Sequence, residues 1–375
     1  MKHAVWLMGL LLGAFGCSGA TIGGDGGGGT AGNDAQGGRV SGGATAGGPG
    51  AGDNGQGGNV DGPGTAGASE SFAGSGAGGF GGAVVHATGG YEPDARCNSS
   101  IDAWIAFDSD AADFNRDIYL IRPDGSQRRR LTDDPSIEKE PAFSPDGTQL
   151  SFTSDRDGSL QVYLMNLSDQ TVTQVTSRSE GADESSFSPD GTLLAFHSGL
   201  AVYTIKLDGT EETLIASSRL EPSPASYPKF LGSDQLVFDS YNQIDATNLD
   251  QTNLRTIISP TTTAIVSPAV SPQNSEIVYA SWCPNESTLS VWTTPANSSS
   301  QTCSGRRVSP AGDPLTNARP AWGPANTFAY ERFDKSVNIG RITLQNRAAG
   351  SRPCSLTPAD EDSRNPNWSS EGLEL

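Results

Sequence analysis

From about Ile101 onward, hydrophobic and polar positions alternate in short runs, each closed by turn residues. Gln149 to Ser154 alternates with period two, as a half-buried strand does. Asp155-Arg156-Asp157-Gly158 turns the chain. Gln161 to Leu167 then sets Val162 and Leu164 on one face and Tyr163 and Met165 on the other. Ser168-Asp169-Gln170 turns again, and Thr171 to Thr176 is a further strand. Ahead of these, Pro141 to Ser144 reads as a short strand closed by Pro145-Asp146-Gly147, where proline presets φ and glycine accepts a positive φ. Glu140 to Thr176 is therefore one four-stranded unit.

The unit recurs. Phe143-Ser144-Pro145-Asp146-Gly147 returns as Phe187-Ser188-Pro189-Asp190-Gly191, and weaker copies place Phe230, Val270, Trp322 and Trp368 at the position of Phe143. The spacings are 44, 43, 40, 52 and 46 residues, a period in the forties built from strands. Such a period predicts an all-β, six-bladed β-propeller of four-stranded antiparallel blades. Ala103 to Phe107, Asp117 to Arg122 and Arg128 to Thr132 supply three strands before the first full repeat, and Asn365 to Leu375 supplies one after the last. The C-terminal strand is thus expected to pair into the N-terminal blade, which removes an open sheet edge. The anchor aromatics are expected to pack between blades rather than to form a stacking ring for a ligand.

The 52-residue spacing marks an insertion, and cysteines flank it. Of Cys17, Cys97, Cys283, Cys303 and Cys354, four lie in the repeat region. Four cysteines allow three pairings. Cys283 with Cys303 would brace the insertion, and Cys97 with Cys354 would tie the start of the propeller to its last blade. No Cys-x-x-Cys pair suggests a metal.

The first hundred residues differ in kind. Residues 1–16 read as an export signal: Lys2, an apolar run from Ala4 to Phe15, then Gly16-Cys17. Cys17 is the expected lipid attachment site of a bacterial lipoprotein, although Ala14 and Phe15 depart from the usual residues before such a cysteine. Residues 17–96 read as a Gly-rich disordered tether, with 30 glycines among the 73 residues from Ser18 to Gly90. A segment of this composition buries too little apolar surface to offset its ordering entropy. As a flexible coil it would reach about 45–50 Å. The propeller spans 97–375.

Charge narrows the function. From Ile101 onward 36 acidic residues face 21 basic ones, which argues against nucleic-acid binding. His197 is the one histidine of the repeat region, so a His-based metal site is excluded and a Ser-His-Asp triad would have to use it; no Gly-x-Ser-x-Gly elbow accompanies it. His197 is read as structural. Asp108, Asp110, Asp113 and Asp117 are read as a solvated loop, with calcium as the alternative. No cofactor, metal or catalytic residue is assigned, and no enzyme activity is expected.

Strand direction locates a candidate binding face. Loops entering each first strand share a face with the loops between second and third strands, while the Pro-Asp-Gly turns lie on the other. The first set holds Glu140, Glu184, Tyr227, Arg319 and Arg364; the second holds Asp155, Arg156 and Asp157. Their mixed charge suits recognition, and plain solubility is the competing reading.

Phe143 to Gly147, Phe187 to Gly191, Thr153-Ser154-Asp155-Arg156-Asp157-Gly158, Gln161-Val162-Tyr163-Leu164-Met165-Asn166 and Arg128-Arg129-Arg130-Leu131-Thr132 resemble the WD40-like (PD40) repeats of the TolB propeller, found also in dipeptidyl peptidase IV-type proteases. The resemblance covers about 275 residues. It implies a propeller that binds partner proteins at its mouth. TolB has a small α/β domain where this chain has the Gly-rich tether, and the hydrolase domain of the proteases has no counterpart here. The expectation is a monomeric, lipid-anchored binding or scaffolding module of the bacterial envelope, at the outer membrane facing the periplasm or the cell surface, with unidentified protein partners. A polysaccharide-binding or polysaccharide-cleaving propeller and a degenerate spacer are the alternatives; the enzyme would show acids with raised pKa values in the channel.

Overall fold

The computed structural model describes residue 97 and residues 100–112, 115–217, 224–259, 265–348 and 351–375. The export signal, Cys17, the tether up to residue 96 and Asp113 lie outside the described residues.

Six antiparallel sheets form six blades. From the inner strand outward, blade 1 is Ser363–Trp368, Ile105–Ser109, Asp117–Ile121 and Arg129–Arg130. Blade 2 is Glu138–Phe143, Gln149–Ser154, Gln161–Asn166 and Val172–Gln174. Blade 3 is Asp183–Phe187, Leu193–Ser198, Ala201–Lys206 and Thr213–Ser217. Blade 4 is Ala225–Leu231, Gln235–Ser240, Gln243–Asn248 and Arg255–Ser259. Blade 5 is Ile265–Val270, Glu276–Trp282, Leu289–Pro295 and Arg306–Arg307. Blade 6 is Thr316–Trp322, Thr327–Asp334, Ile339–Asn346 and Cys354–Ser355. The C-terminal strand closes the ring as expected, with Trp368 opposite Ile105 and Ser363 opposite Ser109.

The repeated phrase folds on itself. Ser144 Oγ donates to Asp146 Oδ1 (2.6 Å) and accepts from the Gln149 N–H (2.9 Å), while Asp146 Oδ1 also accepts from the Thr148 N–H (3.0 Å). Ser188, Asp190 and Leu193 repeat this arrangement. Side chains thus satisfy the turn's backbone before any neighbour is met.

Six apolar clusters fill the six gaps between blades. Trp104, Ile118 and Leu120 of blade 1 meet Phe143, Phe152 and Met165 of blade 2, and equivalent layers follow round to Ile342 and Leu344 of blade 6 against Phe107 and Trp368 of blade 1. Every anchor sits in one of these layers. Burial of such a ring contributes about 1.5–3 kcal/mol, so the phrase welds neighbouring blades.

Both disulfides form as expected, with Cα–Cα distances of 5.5 Å for Cys97–Cys354 and 5.9 Å for Cys283–Cys303. The insertion adds an unforeseen element: Ser300–Gln301 pairs in parallel with Arg255–Ser259, making blade 4 five-stranded.

Packing at the closing gap is tight. A Cβ on Gly323 would lie 2.3 Å from Cε2 of Trp368. Gly323→Ala is therefore expected to cost about 1–3 kcal/mol through overpacking, read as a lower urea midpoint with an unchanged slope.

Candidate functional site

Each inner strand carries the same irregularity three residues before its anchor. Glu140, Glu184, Tyr227, Ser267, Arg319 and Asn365 all adopt φ between 46° and 58°, and the register with the second strand slips at each one. These are β-bulges, which re-aim a side chain and cost strain at a residue other than glycine. Proline follows in five of the six repeats, where its missing N–H is tolerated at a bulge. The bulges project their residues into the central channel, a cavity of about 250 Å³ whose lining includes all six.

Carboxylates latch the ring together from blade to blade. Asp108 Oδ1 accepts the Glu140 N–H (3.1 Å), Glu140 Oε2 the Glu184 N–H (3.2 Å), Glu184 Oε2 the Tyr227 N–H (2.8 Å), and Asp239 Oδ2 the Ser267 N–H (3.4 Å). In blades 6 and 1 the bulge residue donates instead: Arg319 Nη1 to Glu331 Oε2 (2.7 Å) and Asn365 Nδ2 to Asp108 Oδ1 (2.6 Å). Glu184 of blade 3 therefore faces Arg319 of blade 6 across the ring. Lys229 enters the channel from blade 4, part-buried, where the equivalent residues of blades 2, 5 and 6 are Ala142, Ala269 and Ala321. Among the described residues it has no carboxylate in ion-pair range. Burial holds its ammonium below the ordinary lysine value against the pull of Glu184 and Glu140.

A charged network backs the acidic arc. Lys139 Nζ reaches Glu140 Oε1 (2.9 Å) and Asp183 Oδ2 (3.4 Å), and His197 Nδ1 meets Asp183 Oδ1 (2.7 Å) while Nε2 meets the Gly199 carbonyl (3.1 Å). Burial disfavours the His197 charge, but its bond to Asp183 and the nearby Glu184 outweigh that and lift its pKa to about 9. Asp183, Glu184 and His197 hold ligand atoms within 4.8 Å of one another. The imidazolium and the Lys139 ammonium already supply the charge a cation would bring. Burial, with Asp183 and Glu140 alongside, pushes Glu184 up to about 8, and burial pushes Asp239 up to about 7.

These shifts have one sign. His197, Glu184 and Asp239 all hold a proton more tightly in the folded state, so their net effect is stability that is present at low pH and lost as pH rises. The window opens near 4, the ordinary range of the acids, and closes near 9, where His197 releases its proton. Melting temperature is therefore expected to fall from pH 5 to pH 9, with a shallower fall in Glu184→Gln.

The eight residues of the candidate face separate into two groups. Glu140, Glu184, Tyr227 and Arg319 converge on the channel, within inner strands and not in loops before them. The other four are engaged elsewhere. Arg156 pairs with buried Glu138 and lies 4.9 Å from the Tyr163 ring; Asp157 accepts from the Tyr163 hydroxyl (2.5 Å), and Asp155 from the Ile137 N–H (2.8 Å). Arg364 pairs with Asp362 (3.0 Å) and covers Phe333. The reading of the acid cluster as a solvated loop is corrected for Asp108 and Asp117. Asp108 and Asp117 are fully buried strand residues, held there by Arg116 and by Arg130 (2.7 Å), and Asp110 accepts from the Asp362 N–H (3.1 Å). Ser267, Asn365 and Lys229 were not anticipated, although counting three back from each anchor finds the first two.

Residues 104–240 match the family model of the TolB beta propeller domain. The propeller is TolB-like. The TolB homolog of Chlorobium luteolum is 40% identical over 76 residues, 20% of this chain and 16% of its own. The Tol-Pal system protein TolB of Bordetella pertussis is 47% identical over 51 residues, 13% of this chain and 12% of its own. The chain thus aligns with under a fifth of the length of either relative. The crystal structure of TolB from Acinetobacter baumannii superposes with a TM-score of 0.60 at 17% identity, covering 73% of this chain and 68% of that one. Among the described residues of the TolB-like propeller, no helix is long and apolar enough to cross a membrane.

Proposed function

We propose that this chain is an envelope-anchored, TolB-like propeller whose channel mouth captures an extended segment of a partner protein. The carrying observation is the bulge ring, with Glu140 and Glu184 on one arc, Arg319 opposite and Lys229 at the wall of a cavity of about 250 Å³. Facing donors and acceptors in a narrow concavity fit a peptide backbone with charged side chains. The names of the relatives, which place TolB in the Tol-Pal system, support an envelope partner. On this reading Cys17 carries the lipid, residues 17–96 are the tether, and the propeller acts as a non-enzymatic monomer at the outer membrane. Crosslinking and pull-down from envelope fractions tests it, with Tyr227→Ala expected to lose a partner that wild type retains. Partition of the mature protein into the aqueous phase of a detergent extraction would remove Cys17 from the proposal.

A second reading has its own observation. Glu184 lines the channel, and Asp239 is buried behind it at the Ser267 bulge, both with raised pKa values, as a polysaccharide-cleaving propeller would require. Both already accept backbone N–H groups of the next blade, a structural use that accounts for their burial. Release of reducing or unsaturated ends from acidic polysaccharides by wild type, but not by Glu184→Gln, would favour the enzyme.

A further inference from the structure

The groove between blades 5 and 6 gathers four arginines in a chain that has 43 acidic residues against 24 basic ones. Arg306 and Arg307 form the outer strand of blade 5, and Arg347 and Arg352 flank the outer turn of blade 6; the cavity between them measures about 320 Å³. Two of the four are committed. Arg307 pairs with Glu286 and donates to the Ser309 (3.0 Å) and Pro310 (2.9 Å) carbonyls. Arg347 grips Glu276 with both Nη atoms (2.5 and 2.6 Å). Arg306 spends one N–H on the Arg347 carbonyl (2.7 Å) and is otherwise exposed, as is Arg352. Among the described residues neither has a carboxylate in ion-pair range. Two uncompensated guanidinium charges therefore share one concave surface.

The insertion builds this groove. Its residues are fixed by the parallel pairing of Ser300–Gln301 with blade 4 and by the Cys283–Cys303 bond. Gly305 follows, where a Cβ would lie 2.0 Å from the Thr293 carbonyl oxygen, so the chain presses onto the third strand and delivers Arg306 to the groove. Exposed arginines scattered singly need no explanation. Two unpaired ones converging beside two paired ones repel each other until an anion arrives.

We propose that this groove binds a compact dianion of the phosphate-monoester type. Two free guanidinium forks match its two charges, and the planar fork binds phosphate oxygens two at a time. The test is calorimetric titration of the full chain with inorganic phosphate and pyrophosphate at low ionic strength. Co-sedimentation with phosphatidylcholine vesicles carrying phosphatidic acid forms a second arm. Wild type is expected to bind, more weakly as salt rises, and the double variant Arg306→Ala, Arg352→Ala at least about tenfold less tightly. Both residues are exposed, so the ligand-free melting temperature should not move. Binding of the free anions identifies a soluble phosphorylated ligand, and binding of vesicles alone identifies a lipid headgroup. Failure of both probes, or binding that the double variant leaves intact, overturns the proposal.

Discussion

Asp108→Ala is expected to lower folding stability by about 3–5 kcal/mol, the range for removing one partner of a buried ion pair. Asp108 is fully buried and stands where the ring closes. It pairs with Arg116, which also pairs with Asp362, accepts from Asn365 on the C-terminal strand, and takes the Glu140 N–H of blade 2. Burial alone would push its carboxyl up, but Arg116, Asn365 and the Glu140 N–H outweigh that and hold it below the ordinary value of 3.8. Its contribution is therefore present above that pH and lost as pH falls through its lower folded value. The alanine variant leaves Arg116 beside a vacated site and frees one bulge N–H. Asp108→Asn keeps an acceptor and should lose less. Urea unfolding of the three proteins at neutral pH would show the order wild type, Asn, Ala.

Removing the Cys97–Cys354 bridge should cost more than removing Cys283–Cys303. The first joins residues 257 apart and the second residues 20 apart. In the chain-entropy account the longer loop contributes about 5 kcal/mol and the shorter about 3 kcal/mol. The long bridge also spans the gap that the C-terminal strand closes, since it ties the segment before Ile101 to the outer strand of blade 6. Paired serine substitutions at each bridge, compared by urea midpoint, measure the difference. Equal losses would mean that loop length does not set the difference between the two bridges.

The fold was legible because its signals are local and repeated. Phe143 and Phe187 sit in identical turns whose Ser, Asp and Thr side chains satisfy the backbone by themselves, and the spacing of their copies counted the blades. Even the eroded anchor Val270 held its place, because the layer it fills is built by Ile277 and Tyr279 around it. The site was legible only in part. Glu140, Glu184, Tyr227 and Arg319 came from strand direction, yet bulges put them inside strands, and a bulge depends on a register that no single strand displays. Asp155, Arg156 and Asp157 are instead claimed within blade 2 by the Ile137 N–H, Glu138 and Tyr163 in turn. Buried Asp108 and Asp117 misled for the same reason: an acid cluster looks solvated until the arginines that neutralise it are placed beside it. Lys229 is distinguished only by the alanines that occupy its position in blades 2, 5 and 6.

On the proposed reading the channel mouth, and not the outer rim, engages the partner. Lys229→Ala is the direct probe, because Lys229 lines the channel with no carboxylate in ion-pair range among the described residues and alanine already holds the equivalent position in blades 2, 5 and 6, so the ring should stay intact. Quantitative pull-down from envelope fractions would compare wild type, Lys229→Ala and Leu254→Glu, an exposed position beside the fourth strand of blade 4. The expected result is a partner retained by wild type and Leu254→Glu and lost, by at least about tenfold, from Lys229→Ala at an unchanged melting temperature. A partner retained equally by Lys229→Ala, or lost only from Leu254→Glu, would rule this out.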